Sequence, residues 1–142
     1  MRPRPPFNIL HATHSTAAIE FSILALPFLL LVLGIFEFAR LYWTQEALQE
    51  SATAGARCMG ILQASCTTGG ATASYVQQVA ATWGIILPSS DIVTANSASC
   101  GGIAGFSQVQ INYTFKTIVP YIVPIASGGM TLTVQACYPN NL

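Results

Sequence analysis

Charge is what this 142-residue chain has least of. It carries five basic and five acidic side chains, 7% of the residues, and a formal net charge of zero. No basic patch exists to neutralise phosphates, which argues against nucleic acid as a partner. So little charge is also unusual for a freely soluble monomer, and fits a surface covered by lipid or by neighbouring subunits. Paired metal ligands are lacking too. None of the four cysteines forms Cys-x-x-Cys, and both histidines, His11 and His14, precede all of them. The gaps between Cys58, Cys66, Cys100 and Cys137 are too long for the paired spacings of a zinc site. His11 and His14 stand at i, i+3, but two isolated histidines in a leader read as plain polar residues, so no metal is expected. Nor is there a nucleophile–base set. Asp91, Lys116 and the leader histidines are lone groups, so the chain is read as a non-enzyme without a cofactor.

What the chain does have is a long apolar run. Residues 21–36, FSILALPFLLLVLGIF, hold no charge, with Glu20 just before them and Glu37 and Arg40 just after. A hydrocarbon core of ~30 Å needs about 20 helical residues, and residues 17–38 supply that length. Arg2 and Arg4 precede the run with no acid before Glu20, whereas residues 37–50 carry three acids and one base. The positive-inside rule therefore puts residues 1–15 in the cytoplasm, a helix over 16–40 across the membrane, and residues 41–142 outside. The run is too long for the apolar part of a cleaved signal peptide, and an amphipathic pattern follows it instead of a polar cleavage region.

The leader starts with Pro3, Pro5 and Pro6, which disfavour helix there, and Ser15 or Thr16 can cap the helix that follows. Pro27 removes one backbone bond inside the membrane segment, a loss that membrane helices tolerate. Leu41, Leu48, Ala52, Gly55, Met59 and Leu62 continue as an amphipathic stripe, so one helix of about 45 residues is expected, half in lipid and half against a domain. Gly55 and Ala52 would admit a close neighbour; plain helix propensity explains the same small residues equally well. Gly69-Gly70 should end this element. A second helix is expected over residues 72–83, with Val76, Val79, Ala80 and Trp83 on one face and Gly84 as its C-terminal cap. Residues 87–90 read as a loop, residues 91–97 as a weak strand, and residues 100–105 as a turn.

Two strands are clear. Val109, Ile111, Tyr113 and Phe115 alternate with polar neighbours over residues 106–116, and Met130, Leu132, Val134 and Ala136 do the same over residues 130–138. They should pair antiparallel and cover the amphipathic helix, giving an α+β fold: a long N-terminal helix, a short second helix and a small antiparallel sheet. Roughly 100 residues beyond the membrane segment suffice for one small domain. Four cysteines in such a domain read as two disulfides in an oxidising compartment, each worth about 2–4 kcal/mol. Cys58–Cys66 is favoured because it closes a short loop at a helix end, which leaves Cys100–Cys137; four buried thiols are the alternative. Between the two strands lies a very apolar segment with Ile118, Val119, Tyr121, Ile122 and Val123. Pro120 and Pro124 bar it from a central strand. It is either a loop folded onto the core or an exposed patch for lipid or a neighbouring subunit.

The segment Ser15-Thr16-Ala17-Ala18-Ile19-Glu20-Phe21 resembles the start of type IV pilin-like proteins. More narrowly, it is similar to the TadE-like family of the tight-adherence (Flp) pilus machinery. Leu26-Pro27, Gly34-Ile35-Phe36-Glu37-Phe38-Ala39-Arg40, Gln45-Glu46-Ala47-Leu48-Gln49 and Ala52-Thr53-Ala54-Gly55-Ala56-Arg57 continue the likeness through residue 60. The family's residue before the processing cut is usually Gly, and here it is Ser15. The resemblance implies a minor pilin or pseudopilin of the bacterial inner membrane, single-pass, with its domain in the periplasm or a surface pilus. It also implies cutting by a prepilin peptidase between Ser15 and Thr16, which leaves Glu20 fifth. Its partners would be other pilin or pseudopilin subunits and the pilus assembly platform. Glu20 and Phe21 would then serve assembly, the carboxylate meeting the new amino terminus of a neighbour; otherwise Glu20 lies solvated at headgroup depth. The competing expectation is an uncleaved membrane-anchored adhesin or sensor that uses the segment around Tyr121.

Overall fold

A computed structural model describes residues 12–118 and 129–140. Helix α1 spans Ala12–Gly60 and contains Pro27. It begins before Ser15, because residues 12–16 hold neither Pro nor Gly and the helix takes both expected caps into its first turns. Two compact units divide the chain, Met1–Phe36 and Glu37–Leu142. In the first, the described part is helix alone. Large apolar side chains point outward all along it: Phe21 is 73% exposed, and Ile23, Leu24, Leu26, Phe28 and Leu29 are similarly bare.

The second unit holds the core. The α1 positions Ala47, Leu48, Ala52, Ala56 and Met59 are buried together with Val76 and Ala80 and with Val109, Ile111, Leu132, Val134 and Ala136. Gly55 is required for this packing. A Cβ there would lie 2.4 Å from Val76 Cγ2 and 3.4 Å from Val109 Cγ2, so only a bare backbone lets the second helix and the sheet approach at once. The expected stripe ends one residue type early. α1 stops at Gly60, and Leu62 turns to a positive φ of 52° and stands exposed.

A short 3₁₀ turn at Ala64–Cys66 leads to helix α2, Gly69–Thr82. Gly69 and Gly70 open this helix, a correction to their expected role as a break. Thr68 caps it, its hydroxyl accepting from the Ala71 N–H at 3.2 Å. Gly69 is needed because a Cβ would meet Thr94 Oγ1 at 2.7 Å. The buried face of α2 is Thr72, Ala73, Val76 and Ala80. Trp83, expected on that face, instead lies past the last turn and is 41% exposed. Gly84, at φ 78°, follows as the C-terminal cap position demands.

Three antiparallel strands form one sheet in the order β1-β2-β3: Ile92–Cys100, Ile103–Phe115 and Met130–Pro139. The expected turn over residues 100–105 shrinks to Gly101-Gly102, and the weak first strand gains three residues because it pairs through to Cys100↔Ile103. β1 carries an irregularity between Ala95 and Ala98, with Ser97 at φ 68°. That bulge breaks the alternation and explains why the strand is faint in sequence. β2 and β3 pair antiparallel as expected, in the register Val109↔Ala136, Ile111↔Val134 and Tyr113↔Leu132. The result is an α+β arrangement.

Candidate functional site

Four features stand out among the described residues: an exposed apolar helix, two disulfides, a carboxylate strap and an aromatic patch. In the first unit Glu20 and Phe21 are both exposed. Ser22 donates its hydroxyl back to the Ala18 carbonyl at 2.8 Å, which absorbs one polar group within the helix itself. Ser15 and Thr16 fall on α1, but their side chains lie outside the described residues. By length and composition α1 holds a stretch able to cross a membrane, and that stretch is not buried among the described residues.

In the second unit Cys58 is bonded to Cys66 and Cys100 to Cys137, with Cα–Cα distances of 5.8 and 6.5 Å. The first bond ties the end of α1 to the 3₁₀ turn before α2. The second ties the β1–β2 turn to the far strand β3. Among the described residues no group of three or more His, Cys, Asp or Glu side chains could hold a metal ion.

Glu37 opens the second unit, and it is buried although the sequence marks it only as a flank. Its Oε1 accepts from the Ile118 backbone N–H at 3.0 Å, and its Oε2 from Arg40 Nη1 at 2.9 Å. The Arg40 guanidinium also lies 5.3 Å from the Phe115 ring centre. The Thr117 side chain hydrogen-bonds the same Glu37 carboxylate. The carboxylate thus straps the chain just beyond β2 to the first turn of this unit. Ile118 itself is exposed, whereas Val119, Tyr121, Ile122 and Val123 lie outside the described residues. The strap was not legible in sequence, since its partners are 81 positions apart and the only signal was a carboxylate beside an apolar run.

A second polar cluster joins the three strands. Buried Ser107 Oγ lies 3.2 Å from Asn96 Oδ1 and bonds Asn140 as well, while Asn140 Nδ2 donates to Asn96 Oδ1 at 3.0 Å. It satisfies a hydroxyl that β2 would otherwise bury unpaired. Gln49 of α1 donates to the outer carbonyl of Gln135 at 3.3 Å, which closes part of the β3 edge.

The comparisons with known proteins point to the helix. Residues 16–57 match the family model described as TadE-like protein, consistent with the Tad pilus assembly family. The matched stretch covers the uncovered half of α1 and most of its buried half, and ends before α2 and the sheet. No curated protein and no solved structure matches the chain. With one apolar helix able by length and composition to span a membrane, the match is consistent with a membrane-anchored component of the Tad pilus machinery.

Proposed function

We propose that this chain is a minor pilin or pseudopilin-like structural subunit that takes part in assembling a tight-adherence pilus. It performs no catalysis. The carrying observation is that the TadE-like match lies on a helix whose first half is apolar and uncovered. Residues 16–40 cross the inner membrane, with Glu37 and Arg40 at its outer edge. Arg2 and Arg4 keep the N-terminus in the cytoplasm. The C-terminal unit folds in the periplasm, where its two disulfides form. A prepilin peptidase cuts between Ser15 and Thr16, and Glu20 then offers a carboxylate to the new amino terminus of a neighbouring subunit.

An exposed carboxylate at the start of an apolar helix fits that role, because a charge held near hydrocarbon gains most from an opposite charge. The test is Glu20→Ala in cells that make the pilus. The expected outcome is normal membrane insertion and disulfide formation with loss of the subunit from sheared pili. Normal incorporation of the variant would overturn the assembly role and favour a free-standing anchored adhesin or sensor.

A further inference from the structure

The second unit exposes an aromatic patch that the assembly role does not use. Trp43 is 57% exposed, and Trp83 meets it edge-on with ring centres 5.4 Å apart. Tyr42 is exposed beside them, and with Glu46, Ala47 and Glu50 the three rings line an open groove of about 550 Å³. Ile86, three positions past Trp83, is 90% exposed. A chain with 10% aromatic residues and only two tryptophans places both in one solvent-facing contact, Trp43 on α1 and Trp83 just past the end of α2.

We propose that this patch seats the C-terminal unit on the lipid headgroup layer, with the Trp83 indole as a second anchor beside Trp43. The inference rests on the membrane-anchored reading above. Chain connectivity fixes where Trp43 can be. It follows Phe38, the last residue of the apolar window, by five positions, a rise of about 7.5 Å along a helix. The headgroup layer is about 6 Å thick on each side of the hydrocarbon. Helical side chains lean toward the N-terminus, so the Trp43 and Tyr42 rings fall back toward the lipid.

Indole and phenol suit that depth, since each has an apolar body and one hydrogen-bonding group. The acids stand on the other side: Glu46 and Glu50 lie about 4.5 and 10.5 Å further along the helix than Trp43, where water is. Their charge disfavours an anionic surface, so the fitting partner is a zwitterionic lipid interface. Trp83 comes from a different helix, and its contact with Trp43 brings the C-terminal end of α2 to the same level. The membrane then holds this unit at two points instead of one.

The chain's two tryptophans make the test direct. The full chain carrying Trp43→Phe, so that Trp83 is its sole tryptophan, is placed in phosphatidylcholine vesicles whose acyl chains bear bromine at a shallow or a deep position. Trp83 is expected to lose emission to shallow bromines and less to deep ones, as Trp43 does in the Trp83→Phe protein. Undiminished Trp83 emission beside quenched Trp43 would overturn the second anchor and leave the membrane helix standing. If neither tryptophan is quenched and the protein washes off the vesicles, the membrane reading itself fails. Trp83 emission that shifts with protein concentration in unbrominated vesicles, without quenching in brominated ones, would mean that a second copy covers the patch. That result also overturns the proposal. Retained disulfides in each variant establish that the unit has folded.

Discussion

The two halves of α1 are equally helical and differ in what their apolar residues touch. Before Phe36 the helix carries Phe, Ile and Leu side chains that stand exposed among the described residues. After Glu37 the buried positions are mostly small: Ala47, Ala52, Gly55 and Ala56, with Leu48 and Met59 filling the gaps. The difference shows what each neighbour demands. Fluid lipid accepts any bulky apolar surface and asks for no shape. A packed sheet and a second helix ask for close approach, which Gly55 permits and a methyl group would prevent. High hydropathy therefore marks the half that no described residue buries, and small residues mark the half packed against the sheet and the second helix.

Substitutions on either side of Phe36 would show whether that contrast holds. The largest effect is expected at Cys100 and Cys137. Their bond spans 37 positions, so replacing both with Ser should cost the C-terminal unit about 4 kcal/mol, against about 2.5 kcal/mol for the 8-position bond of Cys58 and Cys66. Denaturant unfolding of the two double variants would check the order, and equal losses would count against the loop-length explanation. Next come matched deletions in the two halves. Leu48→Ala removes a fully buried side chain and should cost about 2–5 kcal/mol. Leu29→Ala, in the uncovered half, should leave unfolding of the C-terminal unit unchanged. A similar loss from both would mean that protein, and not lipid, covers the first half.

A smaller effect belongs to the α2 cap: Thr68→Ala should cost about 1 kcal/mol, measurable as a shift in the denaturation midpoint. The smallest concerns Glu37. Glu37→Gln removes the charge that accepts from the Ile118 N–H and Arg40, and should lower the denaturation midpoint slightly. An unchanged midpoint would show that the strap adds nothing to stability.

The same contrast explains what could be read from the sequence. Period and composition were enough for the long helix, for Gly84 after α2, and for β2 and β3, whose alternation is unbroken from Val109 to Phe115 and from Leu132 to Ala136. Failures fell where distant partners decide. Gly69-Gly70 looks like a break, but Thr68 caps the helix it opens and Thr94 leaves no room for a side chain. Trp83 fits the α2 stripe by spacing, yet the helix ends before it and Trp43 becomes its neighbour. Ser107 reads as a surface residue until Asn96 and Asn140 arrive from the two flanking strands. The role of Glu37 depended on Ile118, which nothing local announces.

The proposed role requires a processed, membrane-anchored pilin-type subunit whose C-terminal unit folds outside the cytoplasm. The intact mass of the membrane-extracted protein, taken without reductant, reads both the cut and the disulfides at once. The expected mass is that of a chain beginning at Thr16 and lacking four hydrogens, one pair for each disulfide. A full-length chain with four free thiols would contradict it.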